Sequence, residues 1–251
     1  MPDRARAWPL LLDRESPLPS PEALEQGCLI LVDKPSGPGS FAMVTLLRRL
    51  TGIKRIGHAG TLDPFASGLM VLLVGQACRW QDTVMGSDKR YVARLRLGAQ
   101  SDSHDRTGKT APPSEGALPG LEAIRAALPA YRGHIDQVPP MHSAVQINGK
   151  RLYLLARKGI EIERPARHVH VHELELLDWS PPFLDLDIHC GKGFYVRSLA
   201  RDLGEALGCG ALVEELRRTR IGGYSVERAL DPGALELALA GLRRPVAGEA
   251  S

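Results

Sequence analysis

The stretch from Gly57 to Gly68, which reads GHAGTLDPFASG, holds the residues best suited to chemistry. Asp63 follows Gly57 and Gly60, which allow the backbone to approach a ligand closely, and Pro64 fixes the turn after the carboxylate. An ionised aspartate in such a loop can act as a nucleophile or a base. An aspartate before proline is also common in turns and helix caps, so both interpretations stay open. The stretch lacks the Gly-Lys-Ser/Thr ending of a phosphate-binding loop and the GxGxxG pattern.

Basic residues form local clusters, two of which contain a tyrosine. The clusters are Arg48, Arg49, Lys54 and Arg55; Lys89, Arg90, Arg94 and Arg96 around Tyr91; Lys150, Arg151, Arg157 and Lys158 around Tyr153; and Arg217, Arg218 and Arg220. Acidic residues gather elsewhere in the sequence, at Glu173, Glu175, Asp178, Asp185 and Asp187. The net charge is only +3, so each cluster is either a solvated face or part of a basic groove that binds nucleic acid and stacks bases on tyrosine.

Three histidines, His168, His170 and His172, alternate along the sequence and would share one face of a strand. Such a row could bind a metal ion, but the spacing places no carboxylate or cysteine beside it, which favours a solvated strand face. The four cysteines are scattered singly without a CxxC pair, which is typical of small buried side chains in a reducing compartment.

The elements that position these residues follow from hydrophobic periodicity. Apolar runs predict buried strands over 28–32 and 69–75. Alternation predicts further strands over 91–97, 144–150, 168–177 and 183–190. Helical spacing predicts helices over 121–128, over 195–207, through Leu152 to Ala156, after 231, and from a Ser40 cap to Leu50. Residues 100–116 are polar and indicate a long flexible loop. Because strands and helices mix without regular alternation, the fold class is α+β.

The chain of 251 residues is predicted to hold a flexible N-terminal tail over 1–26, one domain over 27–230 and a short C-terminal remnant over 231–251. The tail is rich in proline, so neither a helix nor a hydrogen-bonded strand is expected there. No apolar run approaches the ~18 residues of a membrane-spanning helix, and the first residues make a poor secretory signal. The expected compartment is therefore the cytoplasm.

Four ordered segments resemble the motifs of the TruB-type pseudouridine synthases. Gly57–Gly68 is similar to the catalytic motif of this family. The segments 31–37 (LVDKPSG), 87–91 (SDKRY) and 191–199 (GKGFYVRSL, with Leu203 and Gly204) resemble its first, tyrosine and late tyrosine–arginine motifs, and a matching leucine follows within 212–217. The resemblance extends from Gly27 to about Tyr224.

This resemblance implies an isomerase that converts uridine 55 in the T-loop of tRNA to pseudouridine by base flipping. It implies a mixed, mostly antiparallel central sheet flanked by helices, with an RNA-binding cleft. It further implies a monomer that acts on the T-arm of tRNA, without a metal, an organic cofactor or a membrane.

The resemblance also implies a role for particular residues. Asp63 corresponds to the catalytic aspartate, and Arg197 to the arginine that pairs with it. Tyr91 corresponds to the tyrosine that lies against the target base and serves in proton transfer. The remaining substrate-binding residues implied by the family are His58, which fills the gap left by the flipped base, Tyr195, and Leu216 in the pocket wall. Lys34 and Pro35 are expected to support the floor of the site.

Two departures from the family pattern bear on these expectations. Only about twenty-five residues follow Tyr224, so no complete C-terminal RNA-binding domain is expected. Pro38, Gly39 and Ser40 stand where a threonine–serine pair is more usual, which affects the loop after Lys34. The alternative hypothesis is a non-catalytic tRNA-folding chaperone of the same fold. A relative guided by a small RNA is a third, which the acidic, proline-rich tail does not favour.

Overall fold

The computed structural model describes residues 9–111, 117–143, 146–147, 150–152, 154 and 159–240. They form two compact units, one ending at Ser87 and resuming at Thr219, the other comprising Asp88–Arg218. The predictions for 144–150, for the helix after Leu152 and for the cluster around Tyr153 lie mostly outside the described residues. Within these residues, no helix is both long and apolar enough to cross a lipid bilayer.

The strands and helices alternate irregularly along the chain. The strands are β1 (Leu10–Leu12), β2 (Cys28–Lys34), β3 (Ile56–His58), β4 (Ser67–Val74), β5 (Lys89–Leu97), β6 (Gly133–Gln137), β7 (Gln146–Ile147), β8 (Lys150–Arg151), β9 (Arg167–Ser180), β10 (Phe183–Cys190), β11 (Ala211–Ile221) and β12 (Tyr224–Ser225). The helices are α1 (Pro21–Gly27), α2 (Ser40–Thr51), α3 (Gln81–Gly86), α4 (Leu121–Ala127), α5 (Val196–Ala206) and α6 (Pro232–Leu239). Short 3-10 helices cover Gly75–Trp80, Leu128–Tyr131 and Val226–Arg228.

In the first unit, β2 and β4 form the centre of a mixed sheet. They pair antiparallel over their whole length, β1 joins β2 in parallel, and β3 joins β4 antiparallel. Both central strands are almost continuously apolar because both are buried. The core cluster around them comprises Leu29, Leu31, Ala59, Leu69, Val71, Leu73, Ala77, Val84, Ile221, Val226 and Ala229. The two predicted buried strands are therefore confirmed.

The prediction that the first 26 residues hold neither helix nor strand is wrong for the described part. Leu10–Leu12 pairs with β2, and α1 begins at Pro21. Proline at the first helical position loses no hydrogen bond, since that N–H has no partner within the helix. The Ser20 hydroxyl accepts a hydrogen bond from the N–H of Ala23 at 3.2 Å, and the side chain of Leu24, within the helix, is buried. Pro21 thus begins the helix instead of preventing it.

In the second unit, β5, β10, β9 and β6 follow one another in an antiparallel sheet. The register between β9 and β10 shifts between His189 and Cys190, which marks an irregularity there. Alternation correctly predicted β5, β9 and β10. It did not predict the short, polar β6, nor β11, where the cluster of Arg217, Arg218 and Arg220 lies in a strand.

Helix α5 is amphipathic and buries Val196, Leu199, Ala200 and Leu203 in the second unit. A side chain at Gly204 would collide with the backbone of Gly210 and Ala211, so glycine is required for this close approach. The predicted α+β class with mixed, mostly antiparallel pairing is confirmed.

Candidate active site

The loop that carries Asp63 is fixed by a buried lysine. Lys34 is fully buried at the end of β2. Its ammonium donates to the carbonyl oxygens of Pro35, Pro38 and Pro64, at 2.7, 2.9 and 3.3 Å. A buried ammonium needs such acceptors to offset its lost hydration. The contact to Pro64 ties the 31–37 segment to the residue that follows Asp63.

Ser40 fixes the residue that precedes Asp63. Its hydroxyl accepts from the N–H of Leu62 at 2.8 Å and donates to the carbonyl of Leu62 at 2.7 Å. Ser40 is therefore not the helix cap; Gly39 occupies that position, and α2 begins at Ser40. Both described hydrogen bonds of the hydroxyl are made to the loop, at Leu62, and neither is made to the end of the helix.

Further hydrogen bonds to the backbone join those of Lys34 and Ser40 in holding the Asp63 loop; we call this set of contacts the clamp. The Ser36 hydroxyl donates to the carbonyl of Phe65 at 2.6 Å, and the N–H of Gly37 donates to that of Pro64 at 2.7 Å. Gly60 adopts a φ of 101°, a conformation that side-chain-bearing residues rarely adopt. Together with the contacts of Pro38 and Ser40, two of the altered residues, these hydrogen bonds connect the segment after Lys34 to the Asp63 loop.

His58 lies on strand β3 of the first unit, half-buried, with Leu72 as its partner across the pair. The N–H of the following residue, Ala59, donates to the carbonyl of Val71 at 2.9 Å. The backbone on both sides of His58 is therefore fixed by β4, unlike that of a histidine in an exposed loop.

Arg197 is the most deeply buried of the predicted site residues, with 4% of its surface exposed. It lies in the first turn of α5. Its guanidinium donates to the carbonyl oxygens of Ser103 at 3.2 Å and His142 at 2.7 Å. It also lies 3.6 Å from a carboxylate oxygen of Asp105, which is equally buried. A lone arginine in the first turn of a helix is often exposed to solvent, but Arg197 is buried and hydrogen-bonded.

Asp105 contacts the predicted site residue Arg197, and the sequence reasoning missed it. One of its carboxylate oxygens accepts from the hydroxyls of Ser103 at 2.8 Å and Thr107 at 2.6 Å, and from the N–H of Thr107 at 2.9 Å. The other oxygen lies near Arg197. Residues 100–111 form a loop as predicted, yet Asp105 is buried within it. The available signal was the pattern of hydroxyl residues two positions before and after the aspartate, since such residues close compact turns.

His104, beside Asp105, has an unusual backbone conformation and a lowered pKa. It has a φ of 59° and is partly buried. Burial, and after it the nearby guanidinium groups of Arg201, Arg197 and Arg164, lower its pKa to about 4, although the Asp105 carboxylate acts in the opposite direction. The imidazole is therefore neutral at pH 7, and the positive charge of this region resides on arginines.

Tyr195 immediately precedes α5 and is fixed through its backbone. The side-chain amide of Gln137, at the end of β6, accepts from its N–H at 2.7 Å and donates to its carbonyl at 3.0 Å. The tyrosine packs against the cluster of Met141 and Leu152. Of the other predicted residues of this unit, Tyr91 is partly buried on β5 and Leu216 is buried on β11.

The basic residues around Tyr91 are partly neutralised. Arg94 lies opposite Asp185 across β5 and β10, and the two form paired hydrogen bonds of 2.8 and 2.7 Å that raise the pKa of Arg94. Arg90 contacts Asp187 at 2.7 Å and Glu173 at 3.0 Å. The acidic residues gather elsewhere in the sequence, but antiparallel register places Glu173, Asp185 and Asp187 beside the arginines of β5.

The predicted site residues are divided between the two units. His58 and Asp63 belong to the first unit, and Tyr91, Tyr195, Arg197 and Leu216 to the second. The pairing of Asp63 with Arg197 stays a prediction.

Comparison with known proteins identifies the family. The model of the TruB family pseudouridylate synthase N-terminal domain matches residues 48–196, and that of the tRNA pseudouridylate synthase B C-terminal domain matches residues 197–244. A tRNA pseudouridine synthase B of Chlamydia abortus is 46% identical over 209 residues, 83% of this chain and 88% of that protein. One from an Azoarcus species is 43% identical over 223 residues, 89% of this chain and 74% of that protein.

Solved structures agree on the fold. A chain of the archaeal box H/ACA sRNP Nop10-Cbf5 complex matches with a TM-score of 0.62 and 26% identity, over 84% of this chain and 52% of that chain. A chain of a Cbf5-Nop10-Gar1 complex matches with a TM-score of 0.65 and 27% identity, over 88% of this chain and 60% of that chain. The sequence matches over most of the chain and the matching fold lead to one conclusion: this protein belongs to the TruB family of pseudouridine synthases.

Proposed function

We propose that this protein is a tRNA pseudouridine synthase that isomerises uridine 55 in the T-loop of tRNA, as a single chain acting on the T-arm. The observation that carries the proposal is the identity of 46% across 83% of the chain with a tRNA pseudouridine synthase B. The chemistry is assigned to residues 27–230, and the expected compartment is the cytoplasm.

The reaction rearranges one nucleotide without changing its composition. The N1–C1′ bond breaks, the uracil turns, and a C5–C1′ bond forms; C5 loses its proton and N1 gains one. We assign Asp63 as the group that enables bond cleavage, either as nucleophile or as base at the sugar. The buried contacts of Lys34 and Ser40 to its loop support this assignment, since catalytic groups require a fixed position.

The target base must leave the RNA stack before Asp63 can act on it. Flipping costs a few kcal/mol, and an aromatic ring that replaces the base can recover about 1–3 kcal/mol by stacking. We assign His58 to this replacement and Tyr91 and Tyr195 to contact with the flipped base, Tyr91 also to proton transfer. Leu216 contributes an apolar wall. The backbone contacts that fix His58 and Tyr195 support these roles.

Arg197 is assigned to keep the Asp63 carboxylate ionised. A desolvated carboxylate resists ionisation unless a cation is near, and a guanidinium can bind it through two hydrogen bonds. The support is that Arg197 is buried and oriented by Ser103, His142 and Asp105.

The proposed function is tested by tritium release from a T-arm transcript labelled at C5 of uridine. Wild-type protein should release close to one equivalent of tritium per target uridine, and none when that uridine is replaced by cytidine. In vivo, mapping of pseudouridine should find it at position 55 of tRNA from cells with the gene and not from cells without it. Absence of release, with tRNA binding retained, would favour the chaperone hypothesis.

Ser40→Ala tests the clamp on the Asp63 loop. The change leaves the N–H and carbonyl of Leu62 without their buried partner, so we expect the free energy of unfolding to fall by about 1–3 kcal/mol. The loosened loop should lower kcat by about 10–100-fold. Urea unfolding and single-turnover tritium release measure the two effects. Thr45→Ala on the exposed face of α2 is the control. A Ser40→Ala enzyme with wild-type kcat would contradict the positioning role.

The cluster of Arg48, Arg49, Lys54 and Arg55 is proposed to contact RNA phosphates. Arg48 donates to the backbone carbonyl of Ile56, whereas Arg49 forms a surface ion pair with Glu236 at 2.5 Å, so Arg49→Gln with Lys54→Gln should disturb the fold less. We expect weaker tRNA binding and a salt dependence reduced by about 0.7–0.9 log units per lost phosphate contact. Filter binding at several salt concentrations measures the slope. Arg125→Gln, at an exposed arginine of α4 paired with Glu122, is the control. An unchanged slope in the double variant would place the RNA elsewhere.

A further inference from the structure

A row of histidines crosses the exposed face of the second-unit sheet. The rings of His134 and His170 stack at 4.4 Å between centroids, His170 meets His172 edge-on at 4.4 Å, and His172 lies 4.7 Å from His189. They come from β6, β9 and β10. The sequence spacing had placed only His168, His170 and His172 together. In the structure the row consists of His170 and His172 together with His134 and His189 from neighbouring strands.

A carboxylate completes one end of the row. Asp88, just before β5, lies 3.3 Å from Nε2 of His172. Single ligand atoms from Asp88, His172 and His189 all lie within 4.8 Å of one another, a metal-compatible grouping found among the described residues. The expectation that no carboxylate stands beside these histidines is wrong, because Asp88 is remote in sequence.

We propose that Asp88, His172 and His189 bind a divalent transition-metal ion, with water in the remaining position. Two imidazole nitrogens and one carboxylate oxygen form a ligand set that suits zinc and related ions, and not magnesium or calcium. Ligand atoms around one zinc ion lie about 3.4 Å apart, so modest side-chain rotation closes the observed separation. This proposal goes beyond the pseudouridine synthase reaction and does not depend on it.

The placement of the ligands favours binding over a chance encounter of side chains. They come from three chain segments whose mutual position is set by the pairing of β5, β10 and β9. The nearby Arg90 is occupied by Asp187 and Glu173, which limits its repulsion of a cation. Asp88 is also close in sequence to Tyr91, so an ion here would fix the start of the strand that carries this tyrosine.

The test is zinc titration of purified protein that has been treated with a chelator and dialysed. Competition with a chromophoric zinc chelator should show one tight site per chain, and excess Mg²⁺ should not displace the ion. His172→Ala, His189→Ala and Asp88→Asn should each weaken binding by about 10-fold or more. Zinc should also raise the melting temperature of the wild-type protein, and not that of these variants.

His168→Ala is the matched control. His168 lies on the same strand and pairs with a carboxylate, Asp136, yet the part of the chain that the structure describes places no third ligand beside it. It should bind zinc as the wild type does. Asp88→Asn preserves the size of an exposed side chain, so it remains informative if a histidine variant fails to fold. Equal affinity in Asp88→Asn and wild type, or an equal loss in His168→Ala, would overturn the proposal.

Discussion

Replacing Asp63 with asparagine is expected to reduce pseudouridine formation by about 10³-fold or more. The amide has nearly the same shape as the carboxylate, but it can act neither as a nucleophile nor as a base. The loop should keep its conformation, because Lys34 and Ser40 contact the backbone carbonyl groups of Pro64 and Leu62, which the substitution leaves in place. Tritium release from the labelled T-arm transcript measures the loss.

Binding of tRNA should change little in the same variant. Affinity for RNA comes mainly from phosphate contacts, which the substitution leaves intact. Asp82→Asn, at an exposed aspartate in α3 of the same unit, controls for the loss of one negative charge and should keep full activity. Wild-type turnover by Asp63→Asn would exclude the aspartate from the chemistry. If the variant also supported every cellular role of the protein, the chaperone hypothesis would gain.

Replacing Arg197 should affect both folding and catalysis. Arg197→Met removes the cation beside the buried Asp105 and leaves two carbonyl oxygens without a donor. Breaking a buried pair from one side costs about 3–5 kcal/mol, because the remaining charge stays desolvated. We expect a loss of this size in urea unfolding, together with loss of activity.

Arg197→Lys separates the two effects. The ammonium keeps the positive charge, yet it cannot reach two carbonyl groups and a carboxylate with the planar geometry of guanidinium. We expect a folded protein whose kcat is reduced by about 10²-fold. Arg201→Met is the control. Arg201 lies on the same helix, is more exposed than Arg197 and pairs with Asp202. A lysine variant with normal kcat would limit Arg197 to a structural role.

Much of this protein can be read from local sequence. The strands β2 and β4 are continuous apolar runs because both of their faces are buried. The strands β5, β9 and β10 alternate between apolar and polar residues because only one of their faces is buried. The glycine- and proline-rich stretch around Asp63 is contiguous, as is the segment with Tyr195 and Arg197. Local order therefore sufficed to identify the family and the candidate site residues.

The first 26 residues show where local reasoning fails. The high proline content indicated a tail without secondary structure, but Pro21 occupies the first position of a helix, where proline removes no hydrogen bond. Ser40 shows the same limit. The sequence indicated that its hydroxyl caps a helix, but in the folded chain the hydroxyl bonds to the backbone of Leu62.

Partners remote in sequence were decided by the tertiary structure alone. Asp105 meets Arg197, Asp185 meets Arg94, and Asp88 meets His172, each pair separated by many residues of chain. Periodicity reports which face a residue occupies, and it carries no information on which strand lies beside that face. Strand register and loop closure supply that information, because they bring side chains together whose charges then neutralise or orient one another.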